Sequence, residues 1–98
     1  MAKTMEEELA GLWDCPTEEV EAMLRRASRG KRLGSLLTNT VVDVISDYKY
    51  DQLQIERGDI MATGYRSSKC VDIIRSVHER YPKLKVAEEF LVGLGEAA

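Results

Sequence analysis

Residues 50–65 read YDQLQIERGDIMATGY, and the fold class turns on whether this stretch is a helix or a ribbon. Leu53 and Ile55 alternate with polar residues on one side of Arg57-Gly58, and Ile60 and Ala62 alternate on the other, the pattern of a small hairpin over 51–64. Read as a helix from Asp51, the same residues put Leu53, Ile60 and Met61 on one face. Gly58 then carries a helix cost of about 1 kcal/mol. The local pattern admits both readings, so the decision passes to the flanks.

The flanks are helical. Upstream, Leu33, Leu36, Leu37, Val41, Val44, Ile45 and Tyr48 make an apolar stripe whose period near 3.6 outweighs the strand preference of its β-branched members. Downstream, Ser67 and Ser68 offer N-caps to a helix with Cys70, Val71, Ile74, Val77, His78 and Tyr81 on one face, ended by Pro82. Val86, Ala87, Phe90, Leu91 and Leu94 form a last short helix closed by Gly93 and Gly95. Toward the start, Thr4 and Glu7 read as a capping box ahead of Met5, Leu9, Leu12 and Trp13 on one face. Pro16 suits a first helical position, and Val20, Met23, Leu24 and Ala27 repeat until Gly30 interrupts.

The expectation is an all-α chain, a compact antiparallel bundle of five to six helices, with an α+β fold carrying a hairpin at 51–64 as the alternative. Residues 1–98 read as one domain, an extra acidic helix over 1–15 joined to a bundle over 16–95.

With 98 residues, 44% of them hydrophobic and 32% charged, the chain can build one core but no deep cleft between domains. Its start, MAKTMEEELAG, is acidic where a signal peptide is basic and then apolar, and no apolar run reaches membrane-spanning length. The expected location is cytoplasmic. Cys15 and Cys70 stand far apart, with no CxxC and a single His, too few ligands for a tetrahedral metal site or a disulfide framework. Reduced, partly buried thiols are expected.

Catalytic constellations do not assemble. Cys70 and His78 lie eight residues apart, about 12 Å of helical rise, and both fall on the apolar stripe. Cys15 at a helix start has no base near it in sequence. Neither a GxGxxG, a P-loop, a DxDxDG nor an HExxH occurs, so no cofactor or metal is expected. Arg25-Arg26-Ala27-Ser28 fits the basic-basic-x-serine pattern of basophilic kinases, a tetrad that chance also supplies. Arg57-Gly58-Asp59 spells the integrin tripeptide, which here reads as a turn or helix surface.

Charge is the feature that points to function. Residues 1–24 carry seven acids and one base, whereas residues 25–32, RRASRGKR, carry five bases and no acid in a chain of net charge −3. The overall sign argues against a polyanion as main partner. Another protein is expected instead.

LAGLWDCPTEEVEAMLRRA, residues 9–27, resembles a helix-turn-helix and is similar to region 4 of bacterial sigma factors, with Ala10, Asp14 and Val20 at that family's spacing. It departs at Asp14, where the family prefers Gly. Glu18, Glu19 and Glu21 would also point carboxylates at phosphates in the first turn of the recognition helix. Those acids and the arginines at the far end match the helix dipole, and Glu21 to Arg25 is a favourable i, i+4 pair. A small DNA-binding regulator is the alternative function.

Over residues 21–97 the chain resembles a caspase recruitment domain of the death-fold superfamily. GSLLTNTVVDVISDYKY is similar to the end of that family's first helix and its second, DQLQIERGDIMA to the third, YRSSKCVDIIRSV to the fourth, and KLKVAEEFLVGLGEA to the fifth. An additional acidic helix precedes the first expected one, and a sixth is missing or very short. The resemblance implies a non-enzymatic adaptor or regulator that associates, with a second copy among the candidate partners, by setting a basic face against an acidic one. On this layout the basic face comprises Arg25, Arg26, Arg29, Lys31, Arg32, Arg66, Lys69 and Arg75. The acidic face comprises Asp43, Asp47, Asp51, Glu56 and Asp59.

Overall fold

A computed structural model describes residues 3–58 and 64–95. They form α1 (Met5–Trp13), α2 (Thr17–Arg29), α3 (Leu33–Glu56), α4 (Tyr65–Arg80) and α5 (Lys85–Gly93), with no strand among the described residues. The all-α bundle holds, and the hairpin alternative fails over 51–56, which continue α3. Residues 59–63, and Asp59 with them, lie outside the described residues.

The apolar stripes meet in a single core. Leu9, Val20, Leu37, Val41, Val44, Ile74, Val77 and Leu91 are fully buried, one or more from every helix. α4 packs against α1, α3 and α5, and accordingly buries the most apolar positions: Cys70, Ile73, Ile74 and Val77. Tyr48 and Phe90 meet edge to face at 5.2 Å and fix α5 on α3. Arg80, in the last turn of α4, pairs with Glu6 in the first turn of α1. The capping box forms as expected, with Glu7 N–H donating to Thr4 Oγ1 and Thr4 N–H to Glu7 Oε1.

Several local expectations are corrected. Pro16 is the N-cap of α2, so Thr17 takes the first helical position. Gly64, at φ +82°, precedes α4, and neither Ser67 nor Ser68 caps it from outside. Ser67 instead sits buried in the first turn, where Asp51 of α3 accepts from both its N–H and its hydroxyl, and Gln52 Nε2 donates to the same hydroxyl at 2.8 Å. A carboxylate from another helix thus does the capping that a local serine was expected to do. The segment likened to a separate third helix runs on without a break from the second up to Glu56.

Candidate protein-interaction surface

The basic run closes α2 and carries the chain round to α3. Past Leu24, no residue from 25 to 32 is buried, because the amphipathic stripe of α2 has ended and the backbone turns away from the core. The turn is a Schellman motif: Arg32 N–H donates to Ala27 O at 2.8 Å, and Lys31 N–H to Ser28 O at 3.2 Å. Glycine is favoured at its left-handed position, yet Gly30 comes one residue early with φ −81°, and Lys31 takes the left-handed conformation at φ +58°. Such a conformation costs a side-chain-bearing residue roughly 1–2 kcal/mol. A cation is therefore held where glycine would be cheaper.

Arg25, Arg26, Arg29, Lys31 and Arg32 are all exposed, and no ion pair links any of them to another of the described residues. The expected Glu21–Arg25 pair does not close, although both side chains border an open cleft of about 800 Å³ between α1, α2 and the end of α4. The cleft walls mix signs, with Glu6 and Arg80 among them.

The other expected basic residues are placed differently. Arg66 Nη2 lies 3.3 Å from Asp47 Oδ2, and Arg75 Nη1 lies 3.3 Å from Asp72 Oδ1. Lys69 Nζ stands 5.8 Å from the centre of the Tyr65 ring. All three belong to α4 and to contacts within the molecule, so they do not extend the corner formed by residues 25–32.

The acidic face is corrected more sharply. Asp43, Asp47 and Asp51 recur every fourth residue along one edge of α3, and at Asp47 and Asp51 that edge is turned to α4. Asp51 is buried and satisfied by Ser67, and Asp47 is half-buried against Arg66. Asp43 and Glu56 are exposed, Glu56 in the last turn of α3. Asp14, Glu18, Glu19 and Glu21 are likewise exposed without an ion pair among the described residues, and unlike Asp43 and Glu56 they are grouped around the start of one helix, α2. Sequence reasoning assigned Glu18, Glu19 and Glu21 to the helix dipole and Asp14 to the turn, and did not read them as an acidic interaction face. Their signal was the lack of a cation within a turn of Glu18 or Glu19.

The helix-turn-helix spacing has a local counterpart. Asp14 is left-handed at φ +51°, Cys15 N–H donates to Ala10 O at 3.1 Å, and Ala10 and Val20 are both buried. Asp14 thus adopts the conformation for which that turn prefers glycine.

The thiols are suited to packing. Burial first, then the carboxylates of Glu19 and Asp14, pushes the half-buried Cys15 thiol above its ordinary value. Burial and Asp47 do the same for Cys70, against an opposing pull from Arg66. Both shifts disfavour the thiolate that a nucleophile needs. His78 is half-buried, and its Nδ1 has no hydrogen-bond partner among the described residues. No cluster of three or more His, Cys, Asp or Glu among the described residues can hold a metal ion, and no described helix is long and apolar enough to cross a membrane. Compared with protein-family models, with curated proteins and with solved structures, the chain matches none.

Proposed function

We propose that this protein is a non-enzymatic, cytoplasmic binding module, an adaptor or regulator, that engages an acidic protein surface through the corner formed by Arg25, Arg26, Arg29, Lys31 and Arg32. The observation that carries the reading is clustering: these five cations stand exposed and unpaired among the described residues within residues 25–32, whereas Arg66, Arg75 and Arg80 are engaged inside the molecule and Lys3, Lys49, Arg57, Lys83 and Lys85, also exposed and without an ion pair, are scattered elsewhere. Like charges crowded into one turn repel, and an approaching acidic surface relieves that repulsion while steering the encounter. The left-handed Lys31 adds support, since backbone strain concentrates where a residue is kept for its side chain.

A second copy of the chain has the required chemistry. Its start of α2 offers Asp14, Glu18, Glu19 and Glu21, and setting that end against the basic corner of a neighbour makes a heterologous, head-to-tail contact. The opposed charged surfaces implied by the likeness to caspase recruitment domains agree with this arrangement. The acidic half lies on different residues from those the likeness suggested. Sedimentation velocity tests it: average mass should rise with protein concentration in about 50 mM salt and fall to the monomer in about 500 mM salt, where the Debye length is a few ångströms. Arg25→Glu with Arg29→Glu should leave a monomer at both, with unchanged helical circular dichroism. A wild-type chain that stays monomeric at low salt overturns the self-pairing.

The geometry around Asp14 favours a second reading, in which α1 and α2 act as a helix-turn-helix on DNA. The carboxylates in the first turn of α2 weigh against it. Duplex binding that weakens steeply and linearly on a log–log salt plot supports it, and undetectable binding at low salt eliminates it.

A further inference from the structure

We infer that Ser28 is a phosphoacceptor for a basophilic serine/threonine kinase, a modification site set in the middle of the cationic corner. The tetrad Arg25-Arg26-Ala27-Ser28 alone would be a chance match, and the structure supplies three independent reasons to read it as a site.

The first is availability of the recognition residues. Arg25 and Arg26 are exposed and paired to no carboxylate among the described residues, so their guanidinium groups are free for the acidic subsites of such a kinase. The second is the acceptor. Ser28 is exposed at the rim of the cleft, and no hydrogen bond to another of the described residues occupies its hydroxyl. Ser46 Oγ, by contrast, donates to Val42 O at 3.1 Å, and Ser67 is buried against Asp51. The third is how little core lies beneath the acceptor. A kinase reads an extended segment, and the last buried side chain of α2 is Leu24. Residues 25–32 open by unwinding the end of α2 and its turn, which releases backbone hydrogen bonds such as Gly30 N–H to Arg26 O at 3.0 Å and relaxes Lys31 but frees no fully buried side chain.

The co-reactant is magnesium-ATP. Ser28 Oγ attacks the γ-phosphorus, an Oγ–P bond forms as the bond to the β,γ-bridging oxygen breaks, the hydroxyl proton passes to the kinase's catalytic carboxylate, and ADP leaves. The phosphoserine then places about −1.5 to −2 charges among five cations, three residues from Arg25 and four from Arg32. The modification site stands without the proposed function, whereas its effect on association rests on that reading.

The test is incubation of the full chain with magnesium-ATP and the catalytic subunit of cyclic-AMP-dependent protein kinase, with phosphate located by tandem mass spectrometry. The expected result is one phosphate per chain on Ser28, lost in Ser28→Ala. Arg25→Ala with Arg26→Ala should slow incorporation about tenfold or more, the worth of one charge-assisted hydrogen bond, at unchanged helical circular dichroism. A free peptide of residues 20–35 is the comparator. If the peptide is modified and the folded chain is not, the end of α2 stays shut and the proposal falls. It falls equally if neither is modified, or if phosphate goes to Ser35, which has Arg32 three residues before it, and spares Ser28. Phosphate on Ser28 with unaltered sedimentation supports the modification site and counts against the self-pairing.

Discussion

Two charged regions of this molecule look alike in the sequence and differ in the fold. Along α3 and the start of α4, Asp47, Asp51, Gln52, Arg66 and Ser67 close on one another into a seam that joins two helices. At the turn from α2 to α3, five cations stand in solvent with no such closure among the described residues. Both are rich in charge at helix surfaces or ends, and only the first joins one helix to another. The difference teaches that a charge becomes a candidate for recognition only after the fold has declined to use it. By that criterion Asp47 and Asp51 drop out while Asp43 and Glu56 remain, and it is grouping that makes Asp14, Glu18, Glu19 and Glu21 at the start of α2 the proposed acidic half.

The contrast is broken most directly at Asp51. Asp51→Ala removes the acceptor of the Ser67 N–H and hydroxyl in a buried setting, and should cost about 2–3 kcal/mol. In a chain of this size that lowers the melting temperature by about 10–20 °C, read by thermal circular dichroism. A fall of only a degree or two would mean that the seam is no more structural than the corner. Lys31→Gly tests the other region with the opposite sign. Glycine relieves the left-handed strain at φ +58° but adds freedom to the unfolded chain, so the net gain is about 0.5–1 kcal/mol. The same variant should weaken low-salt association, since it removes one cation from the corner. Stabilisation with association intact would show that Lys31 is kept for neither purpose.

Between these regions lies the ion pair of Arg66 and Asp47, which belongs to the seam in position but has side chains 64% and 42% exposed. Arg66→Ala should cost no more than about 0.5–1 kcal/mol, an effect that shrinks further in high salt. A loss as large as that of Asp51→Ala would place the stabilisation of the seam in its exposed rim.

The same contrast explains what was legible beforehand. Apolar period alone placed Val20, Leu24, Ile74, Val77, Ala87 and Leu91 in the core, because each faces the bundle on a regular stripe. The stretch from 50 to 56 resisted that reading because the last turns of α3 have little apolar surface to bury: Leu53 is 40% and Ile55 38% exposed. What ties those turns down is polar and distant in sequence, Asp51 and Gln52 meeting Ser67 at separations of sixteen and fifteen residues. No local window contains both partners, so the acids of α3 read as surface. The basic run was legible as composition, but its backbone was not: Gly30 drew the expectation of the turn to itself, and the left-handed residue is the next one along.

Charge reversal at the corner should then be nearly silent in stability. Arg29→Glu forfeits a favourable interaction with the negative, C-terminal end of the α2 dipole, worth about 0.3–1 kcal/mol at low salt, while Arg25 lies before the last turn and loses less. Against that, Arg29→Glu places a carboxylate three residues from both Arg26 and Arg32, whereas positions 25 and 29 stay a like-charged i, i+4 pair, now acidic, and Arg25→Glu adds a second like charge four residues from Glu21. Neither side chain is buried and neither has an ion-pair partner among the described residues to orphan. The balance is a small loss, and the melting temperature should fall by only a few degrees while the salt-sensitive rise in mass disappears. A double variant that unfolds would mean that the corner is held by contacts of the same kind as the seam, and the basis for assigning it to recognition would be gone.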